Sequence, residues 1–275
     1  MKKKILAVLG LASLVTLVLT ACSSSGSKTD GKTTLTVATD SDTAPFTYKK
    51  GSNFTGYDID VLNAIFKGSD KYKVKFVTTA FASILTGVDA DRYQIAANDF
   101  NYNKERAEKY LFSDSISKSN YAIVSKEGVN YSSLEELSGK STEVLSGSNY
   151  AQILEQWNTN NPSKTPIKIN YVSGSTGLTT RMQHIENGTV DFVLYDAISA
   201  KYIISDQGFN LAVTNVKDSI GGSTDGLEYL LFSDSNQGKE IKKFVNKRIA
   251  VLKKDGTFTK LSKKYFGGDF VPKDK

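Results

Sequence analysis

Y-Q-I-A-A-N-D-F-N-Y-N-K-E-R, Tyr93 to Arg106, reads as a short apolar strand, a polar loop and the start of a helix. A helix N-terminus offers unsatisfied N–H donors and the positive end of a dipole, and a guanidinium adds a planar fork that grips two carboxylate oxygens. The combination predicts a carboxylate trap centred on Arg106, and hence a small acid as ligand. An arginine at a helix start is more commonly a solvated surface residue, so the surrounding sequence has to decide.

Outward from this stretch, strand and helix patterns alternate. Leu35 to Thr39 and Val74 to Thr78 read as strands, Tyr57 to Phe66 and Ser83 to Asp89 as helices, and Tyr93 to Ala97 as a third strand. Val61, Leu62, Ile65 and Phe66 share one helical face, while the β-branched runs have the length of buried strands. The grammar repeats further on: strands at Thr142 to Leu145, Ile167 to Val172 and Val190 to Leu194, helices at Tyr150 to Asn158, Leu178 to Glu186 and Ala197 to Ile204. A strand at Leu227 to Phe232 and helices at Gln237 to Lys254 and Thr257 to Phe266 end the chain. The expected class is α/β in two similar lobes.

The N-terminus places the domain. Lys2, Lys3 and Lys4 precede an apolar run, Ile5 to Leu19, of about 15 residues, short of the roughly 20 that a spanning helix needs. Leu19-Thr20-Ala21-Cys22 is a small-residue site ending in cysteine, which resembles the lipobox of bacterial lipoproteins, with Cys22 left as the lipid-modified N-terminus. The following serine, glycine, lysine and threonine residues to position 32 read as a flexible tether. Cys22 is the one cysteine of the chain, so no disulfide, thiol nucleophile or thiolate metal site is expected in the domain. His184 is the one histidine. It is expected to face solvent from its helix, and a histidine metal cluster or Ser-His-Asp triad is not supported. Losing residues 1–21 removes three lysines from the net charge of +6. The remaining basic residues are dispersed among acids, so nucleic acid is not implied.

Six phrases carry a resemblance. They are L-T-V-A-T-D (Leu35 to Asp40), A-P-F (Ala44 to Phe46), T-G-Y-D-I-D-V (Thr55 to Val61), N-K-E-R (Asn103 to Arg106), V-D-F-V-L-Y-D (Val190 to Asp196) and D-G-T-F-T-K-L-S-K-K-Y-F (Asp255 to Phe266). In this order the set resembles the polar amino-acid-binding proteins of ABC importers, the family-3 extracellular solute-binding proteins. The phrase A-D-R-Y-Q-I-A-A-N-D-F-N-Y-N-K-E-R-A-E-K-Y is similar to the branch that carries cystine and related sulfur compounds.

The resemblance implies a type II periplasmic-binding-protein fold, with lobe 1 at 33–124 plus 227–275 and lobe 2 at 125–226. Residues 1–21 would be the signal peptide and 22–32 the tether. The terminal helices would return to lobe 1, and strands near Tyr121 to Ser125 and Leu227 to Leu231 would cross between lobes. Arg106 would clamp the ligand α-carboxylate with the backbone N–H of Asn101. Ser146, Ser148 and Asn149, with Gly147 allowing a tight turn, would close on it from lobe 2, and Asp196 would receive the α-ammonium. For such serines and aspartates, capping or turn chemistry is an equally good reading.

Asp40, Asn98 and Asp99 end strands at the carboxyl edge where open α/β sheets bind ligands, and Asp40 is open to an ammonium or a side-chain donor. Phe81 and Phe46 are candidates for the pocket wall, with core the commoner fate. Many relatives carry a tyrosine where this chain has Thr43, which leaves side-chain specificity open. Asp58 and Asp60 read as ordinary helix-start acids and Glu135-Glu136 as a charged face, so no metal or cofactor is assigned. The expected partners are an amino-acid ligand, the permease subunits of an ABC importer and, through Cys22, the membrane. A monomer that is not an enzyme is expected. Glutathione, glutamine and basic amino acids are alternative ligands, and a dehydratase on the same scaffold is the rival from another class.

Overall fold

The first strand, β1 (Thr33–Thr39), buries Leu35, Val37 and Ala38 completely, so it needs partners on both sides. A computed structural model, which describes residues 31–220 and 222–273, supplies them. A small antiparallel sheet follows: β2 (Asp42–Thr43), β3 (Thr47–Lys50) and β4 (Asn53–Thr55). Then come α1 (Tyr57–Phe66), β5 (Tyr72–Thr78), α2 (Phe81–Asp89), β6 (Ile95–Asn101), the single turn α3 (Lys104–Ala107), β7 (Tyr110–Phe112) and β8 (Ser117–Lys118). β1 pairs in parallel with β5 on one side and β6 on the other.

The second sheet opens with β9 (Tyr121–Lys126) and continues through β10 (Ser141–Leu145), α4 (Asn149–Asn160), β11 (Lys168–Val172), α5 (Leu178–Glu186), β12 (Phe192–Asp196), α6 (Ala197–Gln207) and β13 (Leu211–Asn215). β14 (Leu227–Ser233) then returns to the first sheet, and α7 (Asn236–Lys254) and α8 (Thr257–Phe266) end the described chain. The strand orders are β5-β1-β6-β14-β7, with β8 also on β14, and β11-β10-β12-β9-β13. Both follow one plan, three parallel strands and then an antiparallel one.

The mixed α/β architecture in two lobes is therefore as expected, and the terminal helices do return. Ile241, Val245, Ile249 and Leu252 of α7 and Phe258 of α8 share a buried cluster with Val61, Leu62 and Ile65 of α1. At about 1.5–3 kcal/mol for each large apolar side chain buried, this face is ample reason for the return. The second lobe has its own core, built on β9, β10 and β12 with Leu178, Met182 and Ile185 of α5. No described helix is long and apolar enough to cross a membrane.

Two expectations about the joins need correction. β9 and β14 do not themselves cross between the lobes. β9 is paired along its length with β12 and β13, and β14 with β6, β7 and β8, because a buried strand must satisfy its backbone on both edges. The chain changes sheet between β8 and β9 and again between β13 and β14, so an expected boundary after residue 124 would divide β9. The polar loop expected after Ala97 is also mostly strand, since β6 runs on to Asn101 and carries Asn98, Asp99 and Asn101 within it.

The two crossings are tied together where the Ser119 N–H donates to the Gly226 carbonyl at 2.9 Å. Gly226 has φ +66°, and a Cβ there would lie 1.9 Å from the Ser119 carbonyl oxygen. Gly188, with φ +79°, has open space around it. Gly188→Ala should cost about 1 kcal/mol, the left-handed penalty alone, while Gly226→Ala should cost about 1–3 kcal/mol more through the clash. Urea unfolding of the two variants measures the difference, and equal losses would show that the crossings yield freely.

Candidate functional site

The carboxyl ends of β1, β6, β10 and β12 meet in a cleft between the lobes, where the turns after parallel strands leave polar side chains free of the sheet. The pocket there encloses about 410 Å³, its mouth included, which is within the range of small-molecule sites. The first lobe contributes Thr43, Phe81, Asn98, Asp99, Asn101 and Arg106 to its lining. The second contributes Leu145, Ser148, Asn149, Tyr150, Arg181 and Tyr195.

Arg106 is 5% exposed. Its Nη1 donates to the Asn101 carbonyl at 2.9 Å, and its Nη2 crosses the cleft to the Gly147 carbonyl at 3.2 Å. The guanidinium lies over the Phe100 ring, 5.0 Å from its centroid, and Phe100 stacks on Phe81 at 5.6 Å. Burial lowers its pKa to about 10, opposed by Tyr150, Tyr121, Asp99 and Glu105, so the group remains a cation at neutral pH. The trap is nevertheless not built as the helix start suggested. α3 has four residues, and the Arg106 N–H is taken by the Asn103 side chain at 2.8 Å. The guanidinium, and not a helix terminus, is the cationic group that the pocket offers. Asn101 serves it through a carbonyl.

The remaining candidates separate into those facing the pocket and those behind it. Ser148 caps α4, its hydroxyl accepting from the Ala151 N–H at 3.2 Å, and Asn149 donates to the Tyr121 hydroxyl at 2.7 Å. Ser146 is exposed and lines an outer groove beside Gly147, whose φ of +72° allows the expected turn. Asp40 stands behind the wall, its carboxylate held by Thr43, Asn98, Thr47 and the Asp42 N–H, and Asn98 is committed at both ends of its amide. Asp196 is also behind the wall, capping α6 through the Ser199 N–H at 2.8 Å and held by the Ser119 hydroxyl. Phe46 is core, packed on Tyr57 and Phe266.

Sequence reasoning missed Leu145, Tyr150, Tyr195 and Arg181 as pocket residues. Arg181 had a signal. It lies three residues after Leu178 and four before Ile185, on the face that α5 buries. Two further expectations are corrected. His184 does not face solvent freely, since its Nδ1 lies 2.7 Å from Glu143 Oε2, because Glu143 is buried on β10 and needs a partner. Asp60 is an ordinary helix-start acid that pairs with Lys264, but Asp58 is completely buried.

Asp58 belongs to a group of acids beneath the pocket. Its Oδ2 accepts from the Asp99 N–H at 3.2 Å, while its Oδ1 and the Oε1 of Glu228 on β14 are buried with no donor from elsewhere and both carboxyls are raised in pKa, which calls for a proton shared between them. Asp99 has φ +49°, which presents it to the cleft, and the Tyr150 hydroxyl approaches its Oδ2 at 3.5 Å. Burial, then the charges of Asp196 and Asp58, push the Asp99 pKa well above the carboxylate range. Burial also lifts Asp196 to about 6. Asp99 and Arg106 thus line one pocket without pairing with each other, and a cation bound beside Asp99 would favour loss of its proton and leave it opposite in charge to Arg106. That is the demand of a zwitterion.

The lobes touch across this cleft. Gln152 donates to Glu105 at 2.9 Å, the Tyr48 and Tyr202 rings lie 6.1 Å apart, and any side chain at Gly177 would come within 2.5 Å of Asp42. Among the described residues, no cluster of three or more His, Cys, Asp or Glu is arranged to hold a metal ion.

Known proteins share this architecture. The profile of the bacterial extracellular solute-binding proteins, family 3, matches residues 35–268. The L-cystine-binding protein TcyA of Bacillus subtilis is 31% identical over 241 residues, 86% of this chain and 83% of that protein. A structure solved in work on glutathione import in Gram-positive bacteria, via GshT and the cystine ABC importer TcyBC of Streptococcus mutans, has 38% identity and a TM-score of 0.81, over 87% of this chain and 97% of that one. An ancestral arginine-binding protein bound to arginine has 26% identity and a TM-score of 0.73, covering 85% and 98%.

Burial, the Asp58 charge and the hydrogen bond to Asp58 raise the Glu228 pKa well above its ordinary 4.5. A raised folded-state pKa means that the folded protein holds the proton more tightly than the unfolded chain. The stability it brings is complete below pH 4.5 and is lost as pH rises through the folded value. Glu228→Gln, with the shape of the protonated acid, should therefore melt several degrees above wild type at pH 8 and close to it at pH 4.5. Melts of ligand-free protein at the two pH values test this, and an equal deficit at both would refute the shared proton.

Proposed function

The chain belongs to the bacterial extracellular solute-binding proteins, family 3, and on that premise we propose that it captures a polar amino acid, best cystine or a related sulfur compound, for an ABC importer. The observation that carries the reading is one pocket lined by a buried Arg106, whose guanidinium donates only to carbonyls, and by a half-buried Asp99 that does not pair with it. A ligand α-carboxylate answers the first and its α-ammonium the second, with Asp196 behind Asp99 adding negative charge.

Capture proceeds by closure about the two crossings, between β8 and β9 and between β13 and β14. Ligand meets Arg106 and Asp99 on the first lobe, and closure adds Ser148, Asn149 and Tyr150 from the second. Because these groups interact only in the closed form, the ligand shifts the equilibrium by its differential affinity, and the closed shape marks the loaded state for a permease. Among sulfur ligands, a disulfide is held here by charge and shape, since no cysteine lies in the described domain to exchange with it. The glutathione-import structure supports glutathione as the second reading. Mass spectrometry of the small molecule released on unfolding purified protein identifies the ligand.

Cys22 and the Leu19-Thr20-Ala21 site lie outside the described residues. We propose that lipid on Cys22 anchors the protein to the outer face of the membrane, with residues up to 32 as the tether.

Arg106→Ala should weaken ligand binding by about 2–5 kcal/mol, roughly thirtyfold to several thousandfold, because it leaves a desolvated carboxylate unpaired. Calorimetry giving less than a threefold change would return Arg106 to a structural role. Cys22→Ser should release the protein from the membrane fraction, since anchoring depends on acyl chains. Full retention of a processed mutant would rule out the lipid anchor.

A further inference from the structure

Arg181 stands on the buried face of α5, in line with Leu178, Met182 and Ile185, and is 2% exposed. Its guanidinium lies over the Tyr195 ring, 5.0 Å from the centroid. Its Nε is buried without a hydrogen-bond partner, and among the described residues the guanidinium donates no hydrogen bond and joins no ion pair. Asp42, exposed at the cleft mouth, is within reach of its field but does not pair with it.

A guanidinium removed from water without an anion is costly, and a stacked tyrosine offsets only part of that cost. The fold places this one on the wall of the same pocket that holds Arg106. Arg106 spends two of its donors on the carbonyls of Asn101 and Gly147, whereas Arg181 spends none. Two cations facing one pocket from opposite lobes repel each other, and a ligand with a single carboxylate leaves one of them unanswered.

We propose that Arg181 is the receptor for a second carboxylate, and that the ligand class is an amino acid carrying two carboxylates far enough apart to reach an arginine on each lobe. The assignment rests on the reading of the pocket as an amino-acid site. L-Cystine and glutathione belong to this class, and glutamine, arginine and S-alkyl cysteines do not. Arg181 is on the second lobe, so the second carboxylate is gripped on closure, and selection for diacids occurs at that step.

Calorimetry with four probes tests it: L-cystine, glutathione, L-glutamine, and the mixed disulfide of cysteine with cysteamine, which lacks only the second carboxylate of cystine. Wild type should bind at least one diacid a hundredfold or more tightly than the mixed disulfide or glutamine, since a site built around a polar group rejects an analogue that lacks it. In Arg181→Met that discrimination should collapse to less than threefold. Arg181→Lys keeps a point charge without the fork and should retain an intermediate preference.

If the methionine variant fails to fold, the wild-type comparison of cystine with the mixed disulfide and the lysine variant still decide the matter. A monoacid bound by wild type as tightly as either diacid, or discrimination unchanged in Arg181→Met, overturns the assignment and leaves the amino-acid site standing. If no probe binds to wild type, the amino-acid reading falls and this assignment with it.

Discussion

Everything in the cleft depends on one constraint of chain path: each sheet is completed by an antiparallel strand that lies next to a crossing. β9 follows the first crossing and β14 follows the second, and each is zipped to the last parallel strand of its own sheet. The crossings are therefore joined by the Ser119–Gly226 hydrogen bond, and they hold the carboxyl edges of both parallel sets toward one another. Since the turns after parallel strands are where side chains escape the sheet, both lobes direct polar groups into a shared space. Neither lobe holds a complete site.

Within that space the chemistry is an excess of unmatched charge. Asp58 and Glu228 share a proton, and Asp99 and Asp196 stand beside them with raised pKa values, so the cleft floor favours a cation. Arg106 and Arg181 face it as cations with no carboxylate paired to either. A sheet that buried such groups for stability alone would gain more from apolar residues of the same size. Retained together, they are a template for a ligand that carries both signs. The same groups connect the pocket to the crossings, because Glu228 is on β14 and accepts from Ser117 of β8, and Ser119 holds Asp196.

Several misreadings share one cause, which is that a polar residue's partner lies far away in sequence. Asp40 and Asn98 have the residue types and sheet position of ligand groups, but they satisfy one another across 58 residues. His184 on an amphipathic helix looks solvated until β10 brings Glu143 beneath it. Asn103 followed by Lys-Glu-Arg resembles an open helix start, yet its own side chain closes the Arg106 N–H. Arg181 was passed over for the opposite reason. It occupies an apolar face, where composition suggests packing, and nothing local shows that the face borders a cavity.

The return of the terminal helices came from the family resemblance, whereas the sequence by itself determined the alternation of strands and helices, the repetition of that grammar in two lobes and the singling out of Arg106 as a candidate. These follow from periodicity and from residue types whose physics is local: β-branched runs, helical faces and a fork-shaped cation. Tertiary structure alone decided where the chain crosses between sheets, which acids face the cleft and which are consumed behind it, and that a second arginine waits opposite the first. Those outcomes depend on pairing across tens of residues, and on whether a buried polar group finds its partner in the protein or is left to find it in a ligand.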